Sequence, residues 1–190
     1  NIPNIHRVVT FYKLINTTTE TLKSIFVPYF SLLLEYCAKD LFWLNSTEVY
    51  SVPTATEVEI TSRKRKREEI SKSKKEVSIG EIQHTAILLI VSALDKCFRH
   101  DAEGFMNDAT KVDVILQPLV DQLANLKDDS EEDEERYNIR GAAIAHCLGN
   151  MASVIPQTNW KALQTQVLQK TQHTTSPIKC AAISSFFLSK

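Results

Sequence analysis

A seven-residue pattern occurs twice in the C-terminal third of the chain. Residues 139–145 read IRGAAIA, and residues 178–184, which lie 39 positions later, read IKCAAIS. A period near 40 residues in a helical sequence is typical of HEAT and armadillo arrays, whose stacked helix pairs share one continuous core. The Ala-Ala step allows neighbouring helices to approach closely. We expect the isoleucine that opens each copy, Ile139 or Ile178, to point into the core between repeats.

The rest of the chain also has a helical pattern. Only four glycines occur in 190 residues, whereas an α/β enzyme of this size usually needs more glycine for its turns and phosphate loops. Apolar residues recur at three- and four-residue steps over 5–14, 20–44, 79–98, 112–126, 137–154 and 159–172. We therefore predict an all-α fold: a HEAT-type α-solenoid of antiparallel helix pairs, and a fragment of a longer array.

The N-terminal helices are expected to be interrupted at two points. Thr17–Thr19 offer N-cap hydroxyls, which favours a new helix from Glu20. Pro28 is expected to kink that helix or to move its start to Val27–Pro28. The helix is predicted to carry one apolar face, formed by Leu22, Ile25, Phe26, Tyr29, Phe30, Leu33, Tyr36 and Cys37.

A basic, polar stretch divides the chain. The pattern predicts a helical repeat segment over 1–44, a flexible basic insertion over 45–76 and HEAT-like repeats over 77–190. Eight of the thirteen residues from Arg63 to Lys75 are basic, including the run Arg63, Lys64, Arg65, Lys66 and Arg67. This run suits a nuclear import signal, contacts with RNA phosphates, or a solvated loop without a partner. No aromatic residue is interleaved with the charges, so an RNA contact would involve the backbone and not the bases.

An acidic loop is predicted at residues 128–135. Seven of its eight residues are acidic: Asp128, Asp129, Glu131, Glu132, Asp133, Glu134 and Glu135. The loop is a candidate docking site for a basic partner, although a solvated turn explains the same composition. Ser130 precedes an acidic triplet, a context that acid-directed kinases favour, and its phosphorylation would add about −1.5 to −2 charges.

The sequence carries no motif for catalysis, cofactor binding or metal binding. It contains no Walker, dinucleotide-binding, zinc-protease or nucleophile-elbow pattern, and no apolar run is long enough to span a bilayer. We therefore predict a protein that is not an enzyme and binds no cofactor or small-molecule substrate. The four cysteines are widely spaced and are expected to be buried, reduced thiols: Cys37, Cys97, Cys147 and Cys180.

Two segments resemble a known family. Residues 115–123, ILQPLVDQL, and residues 160–188 are similar to the C-terminal region of the small nucleolar RNA-associated protein 10 family, very large HEAT-repeat proteins of the small-subunit processome. The resemblance implies a nucleolar scaffold in early ribosomal RNA processing. Its implied partners are processome proteins and, through backbone contacts, pre-ribosomal RNA and small nucleolar RNA. A nuclear transport or adaptor-type repeat protein that binds peptide segments is the alternative that the residues leave open.

Overall fold

The computed structural model describes residues 4–45, 79–126 and 134–171, together with residues 180, 183 and 184. Within these ranges the regular structure is helical, as predicted. The α-helices are α1 (Ile5–Leu22), α2 (Val27–Phe30), α3 (Leu34–Asn45), α4 (Ile79–Arg99), α5 (Ala109–Ala124), α6 (Glu134–Val154) and α7 (Gln157–Thr171). Two short 3₁₀ turns, Lys23–Ile25 and Ser31–Leu33, connect α1, α2 and α3.

The helices stack in two layers. In the first layer α1 packs on α4 and α4 packs on α6; in the second layer α3 packs on α5 and α5 packs on α7. Contacts of α3 with α4 and of α5 with α6 join the layers. The pairs α3–α4 and α5–α6 each combine one helix from each layer. In both pairs the second-layer helix comes first in the chain. This arrangement confirms the HEAT-type α-solenoid predicted from the internal repeat.

One apolar cluster fills the space between the layers. Every helix except the short α2 places several side chains at three- and four-residue steps in this cluster, as helix packing requires. Its large, fully buried members include Tyr12, Phe30, Leu41, Ile90, Leu94, Phe98, Ile115 and Leu119. Burial of such side chains, at about 1.5–3 kcal/mol each, is the main force that holds the layers together.

Helix α1 continues through Thr17–Thr19, so the break predicted there is wrong. Each of the three hydroxyls donates to the carbonyl oxygen four residues earlier, at 2.8–3.1 Å. These bonds hold the hydroxyls against the helix backbone, which continues without a break to Leu22, so no N-cap forms here. The helix begins instead with Asn4, whose side chain accepts from the His6 N–H. It ends at Leu22, because Lys23 adopts a φ of 49°.

The behaviour predicted for Pro28 is confirmed. Helix α2 begins at Val27 with Pro28 in its first turn, where the missing N–H of proline costs no helical hydrogen bond. The 3₁₀ turns on either side of α2 break the run from residue 20 to residue 44 into shorter pieces. The side chains of α2 and α3 are therefore not arranged around one regular helix.

The turn between α4 and α5 is held by one buried carboxylate. Asp101 accepts hydrogen bonds from the backbone N–H groups of Phe105 and Met106 at 2.8 and 2.7 Å. Gly104 adopts a φ of 73°, a conformation that side chains with a Cβ rarely adopt. Asp108 then caps α5 through its bond with the Thr110 N–H. The connection between α4 and α5 is thus held by hydrogen bonds from both of its ends.

Two expectations for α6 need correction. Glu134 and Glu135, predicted to belong to the acidic loop, are the first two residues of α6, and at Glu135 the helix dipole favours negative charge. Ile139 was expected in the core, but half of its surface is exposed. The core position in this copy of the repeat belongs to Ile144, which is fully buried and lies about 140° further around the helix.

Candidate interaction surfaces

Asp95 of α4 is a buried polar hub between two helices of the first layer. Only 8% of its surface is exposed, and its Oδ1 lies 2.8 Å from His146 Nδ1 and 2.6 Å from Asn150 Nδ2, both on α6. Its Oδ2 accepts from Arg99, one turn later on α4. A buried carboxylate needs such partners to offset its loss of solvation. The hub therefore fixes the register of α4 against α6.

Two ion pairs extend this polar seam along the same layer. Lys96 Nζ lies 2.8 Å from Glu20 Oε2, linking α4 to α1, and this hydrogen bond holds the pKa of Glu20 below its ordinary value. Arg136 lies 3.0 Å from Glu81 Oε1, linking the start of α6 to the start of α4. The three helices of the first layer are therefore connected by charged side chains as well as by their apolar faces.

Buried amides link neighbouring helices through backbone carbonyls. The Nδ2 of Asn16 in α1 donates to the Leu89 carbonyl of α4 at 2.7 Å. The Nε2 of Gln122 in α5 donates to the Leu41 carbonyl of α3 at 2.9 Å. Both amides are almost completely buried, so each bond compensates the desolvation of its donor. One such bond thus joins adjacent helices in each layer.

Tyr12 and Asp40 form a hydrogen bond between α1 and α3. The Tyr12 hydroxyl donates to Asp40 Oδ2 at 2.9 Å, and the Tyr12 ring is fully buried. Burial raises the pKa of Tyr12 well above its ordinary value, and the neighbouring Cys37 and Asp40 raise it further. Burial also raises the pKa of Asp40, which the bond from Tyr12 lowers in part. Tyr12 is therefore a neutral donor and Asp40 the acceptor.

Three cysteines are inert core residues. Cys37, Cys97 and Cys147 are buried, and burial raises the pKa of all three thiols, that of Cys37 to about 12. Protonated, inaccessible thiols are neither nucleophiles nor metal ligands. Cys180 is exposed, so its predicted burial is wrong. Within the described ranges no group of three or more histidine, cysteine or acidic side chains is arranged to hold a metal ion.

The charged segments predicted from the sequence lie largely outside the described residues. This applies to the basic run Arg63–Arg67, to Ser130, to the acidic residues 128–133, and to the insertion 45–76 apart from Asn45. Glu134 and Glu135 stand at the start of α6 next to Arg136. The roles assigned to these segments therefore stay predictions. In the part of the chain that the structure describes, no helix is long and apolar enough to cross a membrane.

An exposed apolar stripe runs along α2 and α3. Residues predicted to share one apolar face in fact divide between two: Phe30 and Cys37 are buried, whereas Tyr29 and Tyr36 are more than half exposed. The second face, which we call the α2–α3 stripe, consists of Ile25, Tyr29, Leu32 and Tyr36. Sequence spacing marks both faces as apolar, and only packing shows which one is covered.

Comparison with known proteins identifies the family. The family described as the BP28CT (NUC211) domain matches residues 1–106, which is more than half of the chain. The chain belongs to this family. The BP28CT match spans α1 to α4 and most of the turn before α5, so it includes the Tyr12–Asp40 bond, the Asp95 carboxylate and the α2–α3 stripe.

Curated relatives of this BP28CT chain include proteins named for HEAT repeats and proteins named for association with U3 small nucleolar RNA. HEAT repeat-containing protein 1 of Danio rerio is 25% identical over 93% of the chain, and its Dictyostelium discoideum homolog is 38% identical over 52%. U3 small nucleolar RNA-associated protein 10 of Scheffersomyces stipitis is 26% identical over 78% of the chain. These matches confirm the resemblance found in the sequence.

The relatives are much longer than this chain. It spans 8%, 4% and 6% of the zebrafish, slime-mould and yeast proteins, respectively. No solved structure is significantly similar to it. The BP28CT chain is therefore similar to one section of proteins whose length exceeds its own more than tenfold.

Proposed function

We propose that the chain is a non-catalytic scaffold section in a nucleolar pre-ribosomal assembly, the small-subunit processome. The observation that carries this proposal is the BP28CT match together with relatives named for association with U3 small nucleolar RNA. In this role the protein supports ribosomal RNA processing and small-subunit biogenesis. Its partners are processome proteins, and its location is the nucleus and nucleolus.

The geometry supports binding and not catalysis. The polar groups at the centre of the described fold are committed to joining helices: Asp95 to α6, Asn16 to α4 and Tyr12 to α3. The buried thiols are protonated. A two-layer stack that offers several helix faces is suited to bind several partners along its length.

The basic run Arg63–Arg67 is the segment that we assign to nuclear import or to RNA phosphate contact. Both roles need only a dense positive charge on a segment without apolar content. The acidic residues 128–135 form a candidate docking site for a basic partner, with Ser130 as a candidate phosphorylation site. These assignments follow from charge alone.

Affinity purification of the natural-length protein tests the proposal. Recovery of precursor ribosomal RNA, U3 small nucleolar RNA and processome proteins that survives moderate salt supports the scaffold role. Recovery of soluble cargo without precursor RNA contradicts it and favours a nuclear adaptor.

Replacement of Arg63–Arg67 by glutamine then separates the two roles of the basic run. If the variant no longer accumulates in the nucleus, and a foreign import signal restores both its nuclear accumulation and its full RNA recovery, the basic run acts in import. Normal localisation with reduced RNA recovery identifies phosphate contact. A variant in which Lys72, Lys74 and Lys75 are replaced by glutamine is the control for loss of charge alone.

A further inference from the structure

The pairing of the helices leaves α1 without a counterpart among the described residues. In the first layer α4 contacts α3 and α6 contacts α5, each in a pair joined across the layers. In both pairs the second-layer helix precedes its partner in the chain. The corresponding helix for α1 would occupy the next position of the second layer, on the side of α3 away from α5, and would come before α1.

The α2–α3 stripe borders α1, because Tyr36 lies one turn before Asp40, which accepts a hydrogen bond from Tyr12 of α1. Within α3, Tyr36 lies two residues after the buried Leu34, about 200° around the helix, and 60% of its surface is exposed. Leu32 and Ile25 are 73% and 69% exposed. The four members of the stripe lie on successive short elements, from the 3₁₀ turn Lys23–Ile25 to the first turn of α3, and all are more than half exposed.

Helix α1 supplies the second wall of the same seat. Asn16 points towards α4, where it bonds to the Leu89 carbonyl. Leu14 lies about 200° away from Asn16 around the helix and is 63% exposed. Phe11 and Leu22, one turn before and two turns after Leu14, are also exposed. The uncovered apolar side of α1 is thus the side away from α4, next to the α2–α3 stripe.

Helices that are apolar on two sides are normally buried on both. We propose that the α2–α3 stripe, with Phe11 and Leu22 of α1, is the seat of one amphipathic helix, supplied by a segment of the same polypeptide that precedes α1. The seat continues the interface by which α5 packs on α3 and α7 on α5. Relatives more than tenfold longer than this chain have ample sequence to supply the helix.

Photo-crosslinking of the natural-length protein tests this proposal independently of the proposed function. Benzoylphenylalanine replaces Tyr36 in one variant and Phe42 in the control. Both residues are exposed aromatics of α3, and they point about 120° apart. Light- and heavy-isotope preparations of the purified protein are mixed and left to exchange before irradiation, so crosslinks between two copies give peptides of mixed label.

The proposal requires that Tyr36→benzoylphenylalanine crosslinks within one polypeptide to a segment preceding α1, and that the Phe42 variant does not. Crosslinks to residues 46–78, mixed-label peptides from a second copy, crosslinks to a separate protein, or equal yields from both positions would overturn it. Hydroxyl-radical oxidation of the unaltered protein provides a second measurement. Stronger protection of Tyr36 than of Phe42, each relative to the same residue in the denatured protein, supports a covered stripe, and equal or weaker protection contradicts it.

Discussion

The side chain of Asn16 in α1 donates to the carbonyl oxygen of Leu89 in α4 across 2.7 Å, and it also donates to the Tyr12 carbonyl of its own helix at 2.9 Å. The asparagine is nearly fully buried. A single amide thus joins the first two helices of a layer, and its removal leaves the Leu89 carbonyl without this donor.

We expect Asn16→Ala to lower the free energy of unfolding by about 1–3 kcal/mol, the range for a lost buried hydrogen bond. Urea denaturation followed by circular dichroism measures the change. Thr17→Ala, at the next and exposed position of α1, is the control and should change stability by about 0.5 kcal/mol or less. Equal effects of the two substitutions would show that the bond to Leu89 contributes nothing.

The Tyr12–Asp40 bond predicts a pH-dependent mutational effect. Burial raises the pKa of Asp40 in the folded state, so its contribution to stability is present below its ordinary pKa of about 3.9 and is lost as the pH rises through the folded-state pKa. Tyr12→Phe removes the donor that stabilises the ionised carboxylate. We expect a cost of about 0.5–1.5 kcal/mol when Asp40 is protonated and about 1.5–3 kcal/mol when it is charged.

Denaturation at several pH values between 3 and 7 measures this rise. In an Asp40→Asn background the cost of Tyr12→Phe should be independent of pH, since no carboxylate remains at position 40. A cost that is constant in both backgrounds would contradict the assignment.

The Asp95 hub predicts a contrast with a surface ion pair. Asp95→Ala removes the shared partner of Arg99, His146 and Asn150, and we expect a loss of about 1–3 kcal/mol. Glu35→Ala breaks an ion pair with Lys39 in which both side chains are 72% exposed, and its cost should be about 0.5 kcal/mol or less. Thermal or urea unfolding of the two variants compares them, and a larger loss for Glu35→Ala would refute the role of the hub.

Thiol reactivity provides a prediction about the core. In the native protein iodoacetamide should modify Cys180 first, because Cys37, Cys97 and Cys147 are buried and their pKa values are raised. Peptide mass spectrometry at increasing times of reaction measures the order. In denaturing urea all four cysteines should react at similar rates. Modification of Cys147 as fast as Cys180 under native conditions would contradict its burial.

Much of the fold follows from the sequence. The 39-residue repeat predicts stacked pairs, and the periodicity that starts at Ile79 marks the observed start of α4. Pro28 marks the start of α2. These signals are local, since each depends on the spacing or the backbone limits of residues close together in the chain.

Features that depend on packing do not follow from the sequence. Ile139 and Tyr36 have the apolar character of core residues, but the neighbouring helices cover other sides of α6 and α3. Asp95 is a single acidic residue in an apolar stretch, and its partners on α6 lie 51 and 55 residues away. The one signal in the sequence is an acidic residue on the apolar face of a helix, because such a residue needs polar partners when it is buried.

The two-layer order also has a mechanical consequence. Among the described helices, α4 lies between α1 and α6, and α5 lies between α3 and α7, so the middle helices transmit a displacement of the first helices to the last. Small rotations at successive interfaces therefore add along the array. Such a stack changes its curvature through many small rotations, while the packing at each interface stays intact.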